Sequence, residues 1–328
     1  MKARVDQRTI AELVGTSTST VTKVLNHDPV YRVSDETREL ILKTAKDLGY
    51  KPLRRRTRNI AFIVCGNLDV IDQELYRHVC AEASTLQYRV CMINIPDMPS
   101  FRSVSLSVNP LTVDGTIITG NLSPEMALQL SDILPVVTMG QYPERSGVDW
   151  VRADNKMIGK QLTNQLLSFG HKDIAVIVNR LDEVFSQQTL EGCKQAFFDA
   201  GLEFDMSMVW GKEHCGYPDV LKTIVEHDPR PTGLLCVTFG DHPIILSTLK
   251  AMGYDVPKDL SYVGWTTNDP SSMATFPVIA CLDNMFLSLA RVAVRRLMDR
   301  IENCELPGED IIVPLEVRRG CSCTDISR

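Results

Sequence analysis

The sequence lacks the segments that would place the protein in a membrane or outside the cell. No apolar run approaches the roughly 20 residues of a membrane-spanning helix, and the polar N-terminal segment MKARVDQRTI lacks the apolar core of a secretory signal. The ten cysteines are scattered, unlike the dense disulfide framework of a small secreted domain. We therefore expect a cytoplasmic protein with reduced thiols and no membrane partner.

Motifs for catalysis, cofactors and metals are also missing. The sequence contains no Walker loop, no G-x-G-x-x-G after a strand, no G-x-S-x-G and no H-E-x-x-H. Cys321 and Cys323 supply two thiols, whereas a tetrahedral metal site requires four ligands. The six histidines are dispersed; His171 begins a strand pattern and is expected to be structural, and Asp241-His242 has no nucleophile motif beside it. We expect neither an enzyme nor a bound cofactor or metal.

The charge is unevenly distributed along the chain. The net charge is −6, but residues 1–58 contain 13 Lys and Arg against seven Asp and Glu. The remaining residues contain 22 basic and 34 acidic side chains, a net charge of −12. A small basic head on an acidic body indicates one face for an anionic partner, although a basic segment can also be a solvated face.

The segment QRTIAELVGTSTSTVTKVLN predicts two short helices around a tight turn. Thr9 can cap the first helix, and Gly15 ends it because glycine enters the left-handed conformation without steric cost. Ser17 or Thr18 caps a second helix that runs to about Leu25. This spacing is typical of a helix-turn-helix, and the alternative is a generic three-helix cap with a Ser/Thr-rich loop.

The predicted second helix has one apolar and one polar face. Val21, Val24 and Leu25 recur at helical spacing and form the apolar face. The opposite face carries short polar groups and one cation, which is what a reader of the DNA major groove needs. These polar residues are Thr18, Ser19, Thr22, Lys23 and Asn26. A third helix follows, capped by Ser34 and closed by Gly49.

From Ile60 onward, short apolar runs alternate with amphipathic segments. Continuous apolar strands between helices indicate parallel sheets covered on both faces, and about 260 residues of this pattern indicate two α/β lobes. Predicted strands are NIAFIVCG, YRVCMINI, DGTIITG, PVVTMG, DIAVIVN, GLLCVTF, LSYVGW and IIVPLEV, and predicted helices lie near 72–87, 124–132, 155–169, 185–200, 217–227, 242–252 and 285–302.

The sequence resembles the lactose/galactose repressor (LacI/GalR) family of bacterial transcription regulators. The resemblance rests on TIAELVGTSTSTVTKVLN and RVSDETRELILKTAKDLGYKP in the head, and on VRADNKMIGKQLTNQLLSFGHKDIAVI and LKAMGYDVPKDLSYVGW in the body. It implies a nucleoid-associated repressor that binds a near-palindromic DNA operator as a homodimer, with a small effector between two lobes like those of periplasmic binding proteins. The implied division is a helix-turn-helix head at 1–52, a hinge at 53–59, one lobe at 60–159 plus 285–315, a second lobe at 160–284 and a tail at 316–328.

The resemblance also assigns DNA-contacting residues in the head. Thr18, Ser19 and Lys23 fall at the variable positions that read bases. Ser17, Thr20 and Asn26 match positions that hold the phosphate backbone. Arg32 lies in the loop after the recognition helix, which also contacts DNA in relatives.

The linker departs from the family pattern. Relatives have a small hinge helix of the type N-x-x-A-x-x-L whose leucine wedges into the minor groove. Here only seven residues separate Pro52 from Ile60, and these seven residues contain no alanine followed by leucine. Four arginines stand there instead: Arg54, Arg55, Arg56 and Arg58. We expect them to bind the DNA backbone or a narrow A·T-rich minor groove; the alternative is a disordered tether that merely attracts DNA.

The expected effector site departs from the pattern as well. Thr189 replaces an arginine, and Trp265-Thr266 replaces a Tyr-Asp or Phe-Asp pair. Because charged groups normally orient sugar hydroxyls, we do not expect a conventional sugar effector. The alternatives are a less polar effector, a regulator without an effector, or a transport-type binding protein. Candidate effector residues are Asn67, Asp69, Thr189, Phe239, Trp265 and Thr266.

Overall fold

A computed structural model of the chain describes residues 6–25, 31–48, 50, 56–96, 100–120, 122–140, 147–212, 216–238, 240–264, 281–283, 285–318 and 321–327. The chain divides into two compact units, 1–151 with 290–311 and 152–289 with 312–328. It therefore passes between the units three times, at points up to about eight residues from those implied by the family resemblance. No helix in the described ranges is long and apolar enough to span a membrane.

Three helices form the N-terminal head: α1 (Gln7–Val14), α2 (Thr18–Leu25) and α3 (Asp35–Asp47). Each helix contributes apolar side chains to one small core, as the helical spacing predicts. The buried core residues are Ile10, Ala11, Val21, Val24, Leu25, Ile41 and Ala45. The head is thus held together by its own apolar contacts.

The first unit contains a sheet of six described strands: β1 (Asn59–Cys65), β2 (Arg89–Ile95), β3 (Gly115–Gly120), β4 (Val136–Met139), β5 (Asp149–Ala153) and β11 (Asp310–Val313). Their order is β11-β5-β4-β3-β1-β2, and the pairs from β2 through β5 are parallel. The associated helices are α4 (Val70–Thr85), α5 (Phe101–Ser107), α6 (Pro124–Ser131) and α11 (Met285–Glu302). Strand β1, which lies between β3 and β2, is buried from Ile60 to Cys65, as a strand covered on both faces must be.

A buried ion cluster ties α11 to β5. Asp149 has no exposed surface, and its carboxylate accepts hydrogen bonds from Nε of Arg296 at 2.9 Å and from Nε of Arg300. The backbone N–H of Glu309 donates to the same carboxylate at 3.0 Å. Both guanidinium groups are themselves nearly buried. Removal of the carboxylate would leave Arg300 without this partner and Arg296 with Glu309, 3.2 Å away, as its remaining carboxylate partner among the described residues, which is costly for buried charges.

The second unit contains a parallel sheet of four described strands: β6 (Ile174–Val178), β7 (Val209–Gly211), β8 (Gly233–Cys236) and β9 (Ser261–Gly264), in the order β7-β6-β8-β9. Its helices are α7 (Asn155–Ser168), α8 (Val184–Asp199), α9 (Tyr217–Val225) and α10 (His242–Ala251). A short antiparallel pair joins β10 (Cys281–Asp283) and β12 (Glu316–Arg318). The predicted parallel α/β architecture is confirmed.

Helices α7 and α8 approach each other closely at two glycines. A Cβ atom on Gly159 would lie 2.0 Å from the carbonyl oxygen of Thr189, and one on Gly192 would lie 1.9 Å from that of Lys156. Real Cβ atoms do not come this close to backbone oxygens, so each position admits only glycine while the helices keep this separation.

The C-terminal segment packs against the second unit and is not a free tail. Ser322 is fully buried; its hydroxyl donates to the carbonyl of Tyr262, and its own carbonyl accepts the N–H of Tyr262. His171 shares hydrogen bonds with the Thr232 hydroxyl at 3.0 Å and the Thr324 carbonyl at 3.1 Å. Burial lowers the pKa of His171, which agrees with the structural role predicted for it.

Candidate nucleic-acid interface

The turn between α1 and α2 is built largely as the sequence predicts, with one correction. The carboxylate of Asp6, not Thr9, caps α1: it accepts the N–H of Thr9 at 2.8 Å and the Thr9 hydroxyl at 2.9 Å. Gly15 ends the helix with φ of 72°, and its N–H donates to the carbonyl of Ala11. Aspartate accepts more strongly than a hydroxyl at an N-cap, because its charge also interacts favourably with the helix dipole.

Ser17 and Thr20 belong to a hydrogen-bonded group at the start of α2. The N–H of Thr20 donates to the Ser17 hydroxyl at 3.0 Å, and the two hydroxyls lie 2.9 Å apart. The Thr20 hydroxyl also lies 3.0 Å from the hydroxyl of Tyr31. Thr20 is 9% exposed, so it positions α2 within the head, whereas Ser17 keeps exposed surface.

The outer face of α2 presents Thr18, Ser19 and Lys23, all of which are exposed. Nζ of Lys23 lies 4.4 Å from the centroid of the Tyr31 ring, a cation–π contact that orients the lysine side chain. The three residues predicted to read bases therefore share one surface of one helix.

The remaining predicted DNA residues of the head differ in exposure. Arg32 is exposed. Thr22 is half-buried, and its hydroxyl is hydrogen-bonded to the Gln7 side chain at 2.5 Å and to the Thr18 carbonyl at 2.8 Å, so it links α2 to α1. Asn26 lies outside the described residues. Tyr31 was not predicted, because a single aromatic residue in a polar loop carries no periodic signal.

The end of the linker is attached to the first unit. Thr57 donates its N–H and its hydroxyl to Oδ1 of Asp114 at 2.8 and 2.9 Å, and the N–H of Arg58 donates to Oδ2 at 3.0 Å. Asn59 is already the first residue of β1 and pairs with Arg89 of β2. The last three residues of the predicted hinge, Thr57, Arg58 and Asn59, are thus hydrogen-bonded within the first unit.

Two of the four predicted linker arginines can be described. Arg56 and Arg58 are both exposed, and Cζ of Arg58 lies 5.2 Å from the centroid of the Tyr88 ring. They line one cavity of about 510 Å³ together with Tyr88 and Arg295, and Asp299 and Glu302 line the same cavity, so residues of both charge signs meet there. Arg54 and Arg55 lie outside the described residues.

Three of the six candidate effector residues, Asn67, Asp69 and Thr189, lie in the described part of the chain. Asn67 is exposed in the turn after β1, and Asp69 caps α4 by accepting the N–H of Asp72 at 2.9 Å. Thr189 has no exposed surface, and its hydroxyl donates to the carbonyl of Phe185 within α8. Thr189 is thus a packing residue beside Gly159, contrary to the expectation that it faces an effector. Phe239, Trp265 and Thr266 lie outside the described residues.

A polar cluster that sequence reasoning missed lies at the carboxyl ends of β7 and β8. The carboxylate of Asp241 accepts hydrogen bonds from Nζ of Lys212 at 2.7 Å and from the Tyr217 hydroxyl at 2.6 Å. The Tyr217 hydroxyl lies 2.9 Å from that of Thr238. Burial alone would raise the pKa of Asp241, but the bonds from Lys212 and Tyr217 outweigh burial and lower it. Ligands of open α/β sheets bind at this edge. Lys212 and Asp241 therefore place charged groups there, although Thr189 stands where relatives have an arginine.

Comparison with known families finds matches to the head and to the rest of the chain. Residues 8–52 match the family described as bacterial regulatory proteins, lacI family. Residues 59–234 match the periplasmic binding proteins and sugar binding domain of LacI family, and residues 163–323 match a periplasmic binding protein-like domain.

Individual relatives cover nearly the whole chain. The ribose operon repressor of Haemophilus influenzae is 24% identical over 307 residues, which cover 90% of this chain and 91% of that protein. Among solved structures, the complex of the transcriptional regulator CelR with cellobiose has a TM-score of 0.68 at 23% identity, covering 97% of this chain and all of that one. The lac repressor dimer bound to operator and an anti-inducer has a TM-score of 0.65 at 18% identity, covering 98% of this chain and 99% of the other.

All three relatives are named as regulators of transcription and none as an enzyme, as expected for this chain. The match at residues 8–52 falls on the three-helix head, and the match at residues 59–234 falls on the α/β part of the chain. The chain belongs to the LacI family of bacterial regulatory proteins.

Proposed function

We propose that the protein is a transcriptional repressor that binds a near-palindromic DNA operator as a homodimer in the bacterial cytoplasm. The observation that carries the proposal is the exposed face of α2, where Thr18, Ser19 and Lys23 lie side by side. Hydroxyls and a cation on one face of a short helix suit base edges in the major groove. The lac repressor, whose fold this chain shares, is a dimer bound to operator in its solved structure.

Replacement of Lys23 tests the assignment of the reading face. We expect Lys23→Ala to lower the ratio of specific to nonspecific DNA affinity by about tenfold or more, because one direct base contact contributes roughly 1–3 kcal/mol to discrimination. The measurement is fluorescence anisotropy with a selected operator and a scrambled duplex at one salt concentration.

A matched control is Lys43→Ala, which removes another exposed lysine of the head from α3. This variant should lose affinity for both duplexes alike and keep the ratio. Equal ratios for Lys23→Ala, Lys43→Ala and the unaltered protein would contradict the assignment of α2 as the reading helix.

The linker arginines are proposed to contact DNA phosphates. If each of Arg54, Arg55, Arg56 and Arg58 neutralises one phosphate, each alanine substitution should reduce the slope of log affinity against log salt by about one. The exposed Lys258 of the second unit provides a control, since Lys258→Ala should leave that slope unchanged. A slope unaffected by replacement of all four arginines would exclude the phosphate contacts.

A small effector is proposed to bind at the carboxyl edge of the second sheet. The Lys212–Asp241 pair, with Tyr217, offers both a cation and acceptor oxygens there. Operator affinity measured against a panel of metabolites tests this, with Lys212→Met as the variant that should lose any response. A protein whose operator affinity no metabolite changes would instead be a regulator without an effector.

A further inference from the structure

Asp114 holds the end of the linker with both carboxylate oxygens. It stands immediately before β3, is 8% exposed and accepts three hydrogen bonds from two consecutive residues, Thr57 and Arg58. Its own N–H donates to the carbonyl of Asn59 at 2.7 Å, so the attachment continues into the first residue of β1. A buried carboxylate requires such partners, and here the linker supplies them.

Arg58 adopts a conformation that needs support from its surroundings. Its φ is 59°, in the left-handed region that residues other than glycine seldom occupy. Its N–H is bound by Asp114, and its carbonyl accepts the N–H of Arg89 at 2.9 Å. A backbone held in this region persists where neighbouring groups determine it on both sides.

The hydrogen bonds to Asp114 do not involve the side chains of Arg56 and Arg58. Asp114 is bound by backbone N–H groups and a hydroxyl, while Arg56 and Arg58 are exposed residues whose side chains line the cavity shared with Arg295. The direction of Arg58 is further set by its contact with the Tyr88 ring.

We propose that Asp114 is a positioning residue for operator binding: it clamps Thr57 and Arg58 to the first unit and so presents Arg56 and Arg58 from a fixed support. The inference rests on the proposed function, since it concerns arginines that bind DNA. Without the clamp, Thr57 and Arg58 would lose the three hydrogen bonds to Asp114, and more of their backbone ordering would be left until DNA binds. Ordering one residue's backbone lowers an equilibrium constant by about five- to thirtyfold.

The clamp itself can be tested on the full-length protein without DNA. In hydrogen exchange followed by mass spectrometry, Asp114→Ala should speed exchange of the Thr57 and Arg58 amides at least about tenfold, because both lose their acceptor. Thr57→Val removes only the hydroxyl bond and should have a smaller effect in the same place. The control is Asp72→Asn, which alters another buried carboxylate of the same unit that is bonded to Thr119 and should leave the two amides unchanged.

The positioning role is tested by operator binding. Asp114→Ala should weaken specific binding about tenfold but leave nonspecific binding equal or stronger, since a negative charge near two arginines is removed. Asp114→Asn, which retains one acceptor oxygen, should fall between Asp114→Ala and the unaltered protein. A purely structural residue would change the melting temperature without changing the ratio of specific to nonspecific affinity.

The outcomes separate the clamp from the proposed function. Unchanged exchange at Thr57 and Arg58 in Asp114→Ala, or at both amides in Asp114→Asn if the first variant does not fold, overturns the clamp, because the asparagine amide leaves one carboxylate acceptor missing. Faster exchange with an unchanged affinity ratio overturns the positioning role. If the unaltered protein selects no operator at all, the proposed function fails, and with it the positioning role, while the exchange data still decide whether the clamp exists.

Discussion

Asp149→Ala is expected to lower the free energy of unfolding of the first unit by about 3–5 kcal/mol, the range for breaking a buried ion pair on one side. The substitution leaves the guanidinium groups of Arg296 and Arg300, which are 11% and 9% exposed, without their shared carboxylate. It also removes the acceptor for the N–H of Glu309. Denaturant unfolding followed by fluorescence of the adjacent Trp150 measures the change.

The destabilisation expected for Asp149→Ala depends on the burial of its ion pairs, so an exposed ion pair of the same unit serves as the control. Glu74 forms an ion pair with Arg77 on α4 of the same unit, but the arginine there is 64% exposed. Such pairs contribute little because water screens them, so Glu74→Ala should barely shift the unfolding midpoint. Asp149→Asn should lie between the two, since it keeps an acceptor oxygen but loses the charge. Equal midpoints for Asp149→Ala and Glu74→Ala would contradict a buried cluster.

Gly192→Ala is expected to destabilise the second unit by about 3 kcal/mol, the upper part of the range for inserting a methyl group into a packed interior. The new Cβ would lie 1.9 Å from the carbonyl oxygen of Lys156, a backbone atom that cannot rotate away. Helices α7 and α8 would have to separate, losing contacts along both. Gly159→Ala, with its clash against the Thr189 carbonyl, should have a similar effect. Thermal unfolding by circular dichroism measures both.

Whether Gly192→Ala lowers or raises stability decides whether α7 and α8 approach each other closely. In an exposed helix interior, replacing glycine by alanine stabilises by about 1 kcal/mol, so a gain in stability for Gly192→Ala would contradict the close approach of the helices. Gly216→Ala is the matched control. It lies at the start of α9 with φ of −65°, and among the described residues its added Cβ would contact Pro218, at an ordinary 3.6 Å. That substitution should change the melting temperature little.

The regular elements were predictable where a local pattern reports them. The span of α11 was predicted residue for residue, because apolar side chains recur along its 18 residues at helical spacing. Strand β5 was missed because DWVRA mixes two charges with its apolar residues. Asp149 is charged yet fully buried, since its arginine partners lie about 150 residues further along the chain. No window of local sequence contains both halves of such a pair.

In the linker and the expected effector site, too, the contacts that could not be predicted join residues that are far apart in the sequence. The arginine-rich composition was visible in the sequence, but its attachment was not, because Asp114 lies 57 residues from Thr57. Thr189 was assigned by its position in a family motif, which predicts location along a helix but not burial. Its packing depends on Gly159 of a different helix, and the resemblance carried no information about that contact.

The contact between Lys23 and Tyr31 bears on how this regulator acquires a new target. A lysine already oriented by an aromatic ring loses less side-chain entropy when it meets DNA, so this position contributes a constant part of recognition. Thr18 and Ser19 are exposed beside it, and neither contributes to the apolar core of the head. Operator preference can therefore change through substitutions at these two positions without loss of apolar contacts in the head, whereas a substitution of Lys23 would also remove its contact with Tyr31.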